Sequence, residues 1–600
     1  TDGDGAYTFR NLLPGTYDVK AVLSGFREHK ETGITVAAGN PVRINIALEV
    51  GSLTETVQVA ADTTLLQTDK ADLSTQLNSK EITDLPLNQY RNYQALINLV
   101  PGTTPAQFQN AEIDSPGRSL RTWVNGTQPN SNATRIDGAV SVNLWLPHHV
   151  GYVQPAETIE TVNVSTNSFD AEYGMAGGAA TTVITKSGTN NVRGSAFWFG
   201  NTDELNANTY FNNAFDRPKD ELSRNIYGGT VGGPVVHNKL FYFGSFERFA
   251  DTRGSLANYG VPTARMRAGD FGEVAAAYAN FRLYNPFTGG AGGAGRELFP
   301  NNTIPASMIN GVSRSVMDYY PMPNTTADLN SNQIADDYQQ FREVTADRDN
   351  YDLKMTWQRN ASHSAWGKFS MLDAEVVDNF SLGFDEGSLG DTRVYVVGFG
   401  HTWTLSPSLV LDGNFGANIQ NQEVTGPDYG DNLGLGIGIP GSNGPDITQS
   451  GLPHFAIGAN NNTGYNIGTT PNWMPLFRKE RSYTFSTALT KVYQSHDLRV
   501  GVDIVRHNLN HIQAEFGDIG GVRGGFRFNG NVTGISGNVI PDANGVLRPY
   551  TPLLWNEFGT FLLGLQTYQG KDVQTEWMTT REWQSAIYVR DRWNVNPNFT

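Results

Sequence analysis

Strand-like segments with alternating apolar and polar side chains recur from residue 191 onward, between turns and long irregular loops, and the alternation is clearest in one segment. In YDLKMTWQ (351–358), aromatic and aliphatic residues take the odd positions and polar residues the even positions. Side chains of a β-strand point alternately to its two faces, so this segment predicts a strand with one apolar and one polar face. Such a strand suits a membrane barrel with lipid outside and water inside, or the half-buried sheet of a soluble sandwich.

The lengths of the connections favour the barrel. Short turns such as RNASH (359–363) and SPS (406–408) alternate with long segments at 255–345 and 426–480. Outer-membrane barrels have short turns on one side and long loops on the other. We count about a dozen strand candidates in this region. The pattern therefore predicts an incomplete transmembrane antiparallel β-barrel over 191–600.

A local repeat supports this prediction. Trp403 precedes Pro407 by four residues, and Trp593 precedes Pro597 by the same spacing. A Trp near a strand end, followed by a short Pro turn, is typical of an aromatic girdle at a membrane interface. Coincidence between two β-hairpins is the alternative.

The first 50 residues also alternate with period two. Tyr7 and Phe9 share one face of a predicted strand, the turn LLPG follows, and GITVAAG (33–39) and VRINIAL (42–48) predict further strands. We expect a small β-sandwich over 1–50.

Residues 62–190 have a different composition. Tyr93, Leu96, Ile97 and Val100 follow helical spacing, and Pro101-Gly102 predicts the end of that helix. Short strands between polar turns follow, so we expect a compact α+β unit.

Between these two units lies GSLTETVQVAAD (51–62), with a predicted five-residue strand at 55–59. This strand is too short to be stable alone. It is either the last edge strand of the first domain or a free strand that another chain pairs with.

Composition excludes several classes of protein. The net charge of −16 argues against nucleic acid as a partner, since its backbone requires a basic face. The chain has no cysteine, so disulfides and thiolate metal sites are excluded. Aromatic residues make up 11% and glycines number 65, against only 17% charged residues, which is typical of barrels and of some large soluble β proteins.

The sequence contains no catalytic signature of the metalloprotease, hydrolase or P-loop type, and we expect no enzymatic activity and no cofactor. Gly436, Gly438 and Gly441 fit G-x-G-x-x-G, but no helix is predicted after them, so we interpret this segment as a flexible external loop. The motif DGDG (2–5) lacks the calcium ligands of an EF-hand, because position twelve is Leu13, and predicts a turn.

His148 and His149 lie close to Trp145 in LWLPHHVGY. A metal site is disfavoured because adjacent side chains seldom converge on one ion and no acidic partner is near in sequence. The cluster either contributes to packing or contacts a ligand from an outward-facing surface.

Long ordered motifs resemble the TonB-dependent outer-membrane receptors. LPLNQYRNYQALINLVPG (85–102), VNGTQPNSNATRIDGAVSV (124–142) and FDAEYGMAGGAATTVITKSGTNNVRGSAFWF (169–199) are similar to the plug and first barrel strand of these receptors. TDGDGAYTFRNLLPGTYDVKAVLSGF (1–26) resembles a carboxypeptidase regulatory-like domain, which marks the Oar-like branch. The likeness covers nearly the whole chain and does not identify a ligand.

The resemblance implies a plug at 62–190 that fills a barrel. The family's barrel has 22 strands, and residues 191–600 would form its first part. About a dozen strands cannot complete that barrel, so we expect the remainder after Thr600 and interpret the chain as a fragment lacking both termini. The family location is the Gram-negative outer membrane, with residues 1–61 in the periplasm.

The resemblance also assigns partners. Residues 51–61 look like a TonB box, in which Glu55, Thr56, Val57, Gln58 and Val59 would pair with TonB, energised by ExbB–ExbD. The implied function is import of an extracellular ligand. The size of the loops and the absence of a basic cluster favour an oligosaccharide or a peptide. The alternative is a surface or structural protein with a receptor-like barrel that acts in adhesion or envelope organisation.

Overall fold

A computed structural model describes most of the chain. The described residues are 15–36, 46–51, 56–60, 72–108, 110–174, 176–278, 280–290, 293–326, 337–378, 387–458, 465–468, 473–514, 519–535, 539–541, 547–549 and 554–593, together with the single positions 5, 7, 9, 42, 44 and 595.

The fold is mainly β, as the alternation predicts. The strands are β1 (Gly15–Ala21), β2 (Glu28–Val36), β3 (Thr56–Ala60), β4 (Leu73–Asn78), β5 (Ala133–Ile136), β6 (Ala139–Val140), β7 (Ile159–Asn167), β8 (Ala180–Thr185), β9 (Arg193–Thr202), β10 (Glu221–Val236), β11 (Leu240–Tyr259), β12 (Tyr338–Asn360), β13 (His363–Asp378), β14 (Ser388–Ser406), β15 (Leu409–Thr425), β16 (His454–Ile457), β17 (Leu476–Tyr493), β18 (His496–Gln513), β19 (Gly525–Phe528), β20 (Val539–Pro541), β21 (Leu547–Pro549), β22 (Tyr568–Gly570) and β23 (Met578–Trp593).

Helices are short and lie between the strands. The α-helices are α1 (Ser79–Asp84), α2 (Tyr210–Ala214), α3 (Ala264–Arg267), α4 (Gly272–Ala277), α5 (Gly311–Met317), α6 (Leu433–Gly436) and α7 (Leu554–Leu562). The 3₁₀ helices are Tyr93–Leu99, Pro129–Ser131, Ala156–Thr158, Ala171–Tyr173, Asp203–Leu205, Pro300–Asn302, Ala306–Met308 and Ile447–Gln449. None of the described helices is both long and apolar enough to span a bilayer.

Ten strands form one large antiparallel sheet, here called the wall, in the order β23-β18-β17-β15-β14-β13-β12-β11-β10-β9. Turns of two or three residues join β10 to β11, β12 to β13, β14 to β15, and β17 to β18. The connections at the opposite end are long, and three of them span 260–337, 426–475 and 514–577. This alternation of short and long connections agrees with the sequence prediction.

Burial in the wall is inverted relative to a soluble sheet. On β12, Tyr351, Leu353 and Trp357 are 43%, 49% and 46% exposed. On the other face of the same strand, Asp352, Lys354 and Thr356 are only 8%, 7% and 9% exposed. A sheet with exposed aromatic side chains and buried charges is unstable in water and suits a lipid-facing barrel wall. The observation therefore decides between the two interpretations of YDLKMTWQ.

The exposed apolar face has defined limits along the strands. At one end, Arg248, Asp349, Asp373 and Arg393 are register partners on four neighbouring strands, and we call them the charged row. Nearer the short turns, the predicted girdle residues Trp403 and Trp593 are exposed and stack on the neighbouring-strand imidazoles of His363 and His496, with ring centroids 5.4 Å apart in each pair.

A smaller unit packs against the polar face of the wall. It comprises residues 72–187, and we call it the inner domain. Its sheet has the order β4-β7-β8-β5-β6. Asn78 and Glu81 form a capping box that begins α1. The helix predicted from the spacing at 93–100 is present as a 3₁₀ helix, Tyr93–Leu99, and Tyr93, Leu96 and Ile97 are buried. The core of this domain also includes Leu372 and Val394 of the wall, so the polar face of the wall is covered by protein rather than by the water that the sequence pattern suggested.

The three longest connections pack together into one apolar core, and we call this unit the cap. The core contains large side chains from all three connections, including Phe271, Phe281, Tyr465, Trp555 and Phe558. Trp555 donates a hydrogen bond from Nε1 to the Tyr465 hydroxyl at 3.2 Å, and β16, β19 and β22 form a small sheet. The segment with Gly436 and Gly438 was expected to be a flexible loop, and that expectation is wrong. It contains α6, and Ile437 is buried in this core.

The N-terminal part contains one described sheet, in the order β1-β2-β3. The predicted strand GITVAAG falls partly within β2, whereas the described residues of 42–48 are not in a strand. The predicted DGDG turn lies mostly outside the described residues.

Candidate ligand-binding site

The loop 141–151, between β6 and β7, carries Trp145, His148 and His149. Asn143 organises it: its side-chain oxygen accepts hydrogen bonds from the backbone N–H groups of Trp145 at 3.1 Å and Leu146 at 2.8 Å. The N–H of His149 donates to the carbonyl of Leu146 at 2.8 Å. The sequence VNLWLPHHV therefore forms a tight, internally bonded loop, and the structure brings the three predicted residues together.

Wall strand β17 holds this loop in place. The carboxylate of Glu480 accepts hydrogen bonds from the N–H groups of Leu144 at 2.6 Å and Trp145 at 3.4 Å. Beside it, the buried guanidinium of Arg478 donates to Asp114 at 3.2 Å and to Gln422 at 3.0 Å. An acidic wall residue therefore binds the backbone of the loop and leaves its side chains available.

The Trp145 ring is partly exposed and stacks on the imidazole of His511 from β18, with ring centroids 4.0 Å apart. The Arg478 guanidinium lies 6.0 Å from the centre of the same ring. Stacking holds the ring in a fixed orientation, and its exposed part is the kind of aromatic platform that sugar rings and peptide side chains contact.

His148 and His149 pack edge to face, with ring centroids 4.3 Å apart. Burial, together with the positive charges of neighbouring groups including Arg118, lowers the pKa of His149 to about 3. Burial also lowers the pKa of His148. The Nε2 atoms of both rings have no hydrogen-bond partner among the residues that the structure describes. At neutral pH both side chains are therefore uncharged and offer unused polar atoms.

Both histidines line a cavity of about 400 Å³ between the inner domain and strands β18 and β23. Its polar lining is mostly uncharged and includes Asn132, Thr134, Ser141, Thr181 and Gln584. Two charged residues, Arg135 and Glu582, also line it. Both terminal nitrogens of Arg135 bind Asp503 of β18, at 3.0 and 2.5 Å, and Glu582 accepts a hydrogen bond from Gln584 at 2.6 Å. The volume lies within the range of small-molecule sites.

Below this loop, the turn between β5 and β6 anchors the inner domain to the wall. The Asp137 carboxylate lies 3.0 Å from the Lys354 ammonium and 3.2 Å from that of Lys368, and it accepts hydrogen bonds from the backbone and hydroxyl of Thr185. Burial would raise the pKa of Asp137, but the two lysines and Thr185 hold it below its ordinary value. The pair Asp137-Gly138 adopts the positive φ angles of a tight hairpin turn.

The sequence left two alternatives for the strand at 55–59, the last edge strand of the first domain or a free strand, and the structure shows an edge strand paired within the N-terminal sheet. Strand β3 pairs in parallel with β2, with Thr56 opposite Glu28 and Val59 opposite Glu31. It is the outer strand of the three-stranded sheet, so pairing with β2 uses one edge of its backbone. Glu55 lies outside the described residues.

Sequence reasoning missed the wall residues Glu480, Arg478 and His511, as well as the anchor of Asp137. The three wall residues lie hundreds of positions from the loop that they contact, and the two lysines that bind Asp137 are also hundreds of positions from it in sequence. Their only signal in the sequence is a polar position on the inward face of an alternating strand. Within the described part of the chain, no three His, Asp or Glu side chains are grouped so as to hold a metal ion.

Comparison with known families gives two matches along the chain. The outer membrane beta barrel domain matches residues 184–600, and the carboxypeptidase regulatory-like domain matches residues 1–49. Among curated proteins, the chain is similar to the TonB-dependent transporter Oar of Myxococcus xanthus, with 24% identity over 274 residues. That match covers 42% of this chain and 24% of Oar.

Among solved structures, the chain is similar to one transporter and two receptors. They are the transporter YddB of Escherichia coli (TM-score 0.47, 12% identity), a mutant of the ferric enterobactin receptor PfeA of Pseudomonas aeruginosa (0.44, 11%) and the siderophore receptor PirA of Acinetobacter baumannii (0.40, 13%). The alignments cover 87%, 88% and 87% of this chain and 55%, 56% and 55% of the other chains. The chain thus spans about half the length of these proteins.

Proposed function

Because this chain belongs to the outer membrane beta barrel domain family, which places it in the outer membrane of a Gram-negative bacterium, we propose that it is a TonB-dependent receptor. In this proposal it binds an extracellular ligand and imports it. The inner domain is the plug, residues 51–61 are the TonB box, and the N-terminal domain lies in the periplasm. The observation that carries the proposal is a lipid-facing wall whose polar face is filled by a separate domain of the same chain.

The ligand site of the proposal is the loop 141–151 with its adjoining cavity. Trp145 supplies an aromatic face, and His148 and His149 supply uncharged polar atoms without partners among the described residues. Most polar side chains of the otherwise apolar lining carry amides or hydroxyls, which favours a neutral, hydrogen-bonding ligand over a strongly charged one. An oligosaccharide or a peptide has this chemistry.

Energy for import would come from TonB with ExbB–ExbD, because an outer membrane has no nucleotide supply. TonB would add a strand to Thr56, Val57, Gln58 and Val59, with main-chain hydrogen bonds giving strength. The pairing of β3 with β2 adds a step to this scheme. TonB either binds the outer edge of β3 or first displaces it from β2.

The proposal predicts that Val57→Pro abolishes TonB binding and energised uptake while ligand binding is unchanged. Proline removes the N–H of residue 57 from any strand pairing. We would measure binding of the TonB periplasmic domain to the complete protein. Uptake by cells would be followed with fluorescent oligosaccharides and peptides.

Val57→Thr is the matched control, because it keeps both the N–H and the branched side chain. Normal uptake by the Val57→Pro variant would refute TonB-driven import through this segment. It would favour the alternative of a surface or structural protein in adhesion or envelope organisation. The large preformed cap is the observation that supports this alternative.

A further inference from the structure

The connection between β9 and β10, residues 203–220, exposes an unusual concentration of large apolar side chains. Leu205 and Tyr210 are each 79% exposed, Phe211 is 69% exposed, and Phe215 is 65% exposed. Contiguous exposed apolar groups on this scale mark an interaction surface rather than a surface that faces water.

The four side chains are presented by an ordered element. Helix α2 begins after Thr209, whose hydroxyl accepts a hydrogen bond from the N–H of Asn212 at 3.2 Å. At 100° per residue, Tyr210, Phe211 and Phe215 fall on one face, and Asn212 and Asn213 fall on the other. The amide of Asn212 binds Asp220 at 3.3 Å, so the polar face is turned toward its own loop. The element is a short amphipathic helix whose apolar side is unpartnered within the described residues.

The height of this helix follows from the strand register. Trp198 is the register partner of Tyr227, which in turn is the partner of Arg248 in the charged row. The charged row marks the end of the lipid-facing face. On β12 it contains Asp349, and the nine residues that follow, 350–358, are enough for a strand to cross a bilayer. Strand β9 continues four residues beyond Trp198 to Thr202, which is about 10 Å along the bilayer normal for a tilted strand. The helix therefore lies beyond the lipid-facing face, on the long-loop side.

We propose that α2 is an interfacial helix that lies on the outer lipid leaflet, with Tyr210, Phe211 and Phe215 inserted among the lipids. On the two strands that this connection joins, Trp198 and Tyr227 of the lipid-facing face are also exposed. Arg217 lies at the same edge, with its guanidinium 5.6 Å from the centre of the Phe215 ring. A cation beside an apolar face is the arrangement by which amphipathic helices bind anionic headgroups.

The absence of cysteine from the chain permits a direct test by site-directed spin labelling. The variants Phe211→Cys and Phe215→Cys report on the apolar face, and Asn213→Cys, two positions from each, reports on the polar face. Each is made in the complete protein, labelled with a nitroxide and reconstituted in vesicles of phosphatidylcholine and phosphatidylglycerol. Collision rates with oxygen, which partitions into lipid, and with a water-soluble nickel chelate are then compared. A heat-modifiable electrophoretic band checks that each variant is folded.

We expect labels at 211 and 215 to collide more with oxygen than with the nickel chelate, and the label at 213 to show at least a threefold higher relative nickel accessibility. Equal nickel accessibility at all three positions would place the helix in water and overturn the proposal. Protection of 211 and 215 from both reagents would also overturn it, since protein rather than lipid would then cover the apolar face.

Discussion

At the scale of single residues, Asp137 shows how charges are tolerated inside the wall. Its carboxylate faces two lysine ammonium groups, and neither its own charge nor theirs is exposed to solvent. The carboxylate and the two ammonium groups compensate one another's charge, and this pairing allows all three to be buried. Removing one member leaves the others without compensation.

We therefore expect Asp137→Asn to lower the free energy of unfolding by about 3–5 kcal/mol, because two buried lysines lose their counter-charge. Urea titration of the folded protein measures this change, and protease sensitivity of the inner domain reports its release. Asp84→Asn is the matched control, since Asp84 pairs with Lys80 on an exposed surface of the same domain. Equal effects of the two substitutions would contradict the anchoring role.

Glu557 makes the stability of the cap depend on pH. Burial within α7 raises the pKa of its carboxyl to about 7. The folded state therefore favours the protonated form. Its stability is greatest below the unfolded pKa, near 4.5, and falls as the pH rises to 7.

Glu557→Gln should remove this dependence and stabilise the cap above pH 7 by at most about 3 kcal/mol. Hydrogen exchange of the α7 amides at pH 4 and pH 8 gives the measurement after correction for the intrinsic rates. Glu297→Gln, at an exposed position in the same cap, is the control. An unchanged pH dependence in Glu557→Gln would assign the effect to another group.

At the scale of elements, β3 is the strand whose state matters most for the proposed import. Its pairing with β2 places Gln58 opposite Lys30. Neighbouring strands lie about 4.8 Å apart, which is compatible with a disulfide between paired positions.

A variant with both Lys30→Cys and Gln58→Cys should lock β3 onto β2 under oxidising conditions. If TonB must displace β3, uptake falls at least tenfold in the locked protein and returns after reduction. Each single cysteine variant controls for the substitutions themselves. Full uptake by the locked protein would show that TonB uses the outer edge of β3 without displacing it.

Local and distant information differ in what the sequence reveals about these elements. The strand 351–358 is predictable because its alternation repeats within eight residues and records which face meets lipid. The clamp of Glu480 on Leu144 is not predictable, since folding alone brings these two positions together. The partner of β3 stayed open for the same reason. The sequence of a five-residue strand does not show which other strand it pairs with. The likeness to Oar-type receptors depended on long ordered motifs, and it is confirmed by the similarity to known proteins.

At the scale of the whole molecule, inverted burial is the governing feature. An exposed leucine of a soluble protein usually tolerates substitution by arginine, but an exposed leucine of this wall faces lipid. The cost of a charge at the middle of the bilayer is about 2–4 kcal/mol.

Leu353→Arg should therefore reduce the amount of folded protein in the outer membrane severalfold, as measured by heat-modifiable migration of membrane fractions. Leu435→Arg is the matched control, because Leu435 is 46% exposed, close to the 49% of Leu353, but lies in the cap. We expect normal assembly of that control. Normal assembly of both variants would show that the exposed face of β12 does not contact lipid.

In the proposed orientation, with the cap outside the cell, its shared core determines what other molecules encounter at the cell surface. Segments that are far apart in sequence, around Phe271, Tyr465 and Trp555, are packed against one another. An antibody raised against the intact protein would accordingly recognise composite epitopes drawn from several connections at once. Linear peptides copied from any single connection would reproduce those epitopes poorly, and serum against such peptides would bind the denatured chain better than the living cell.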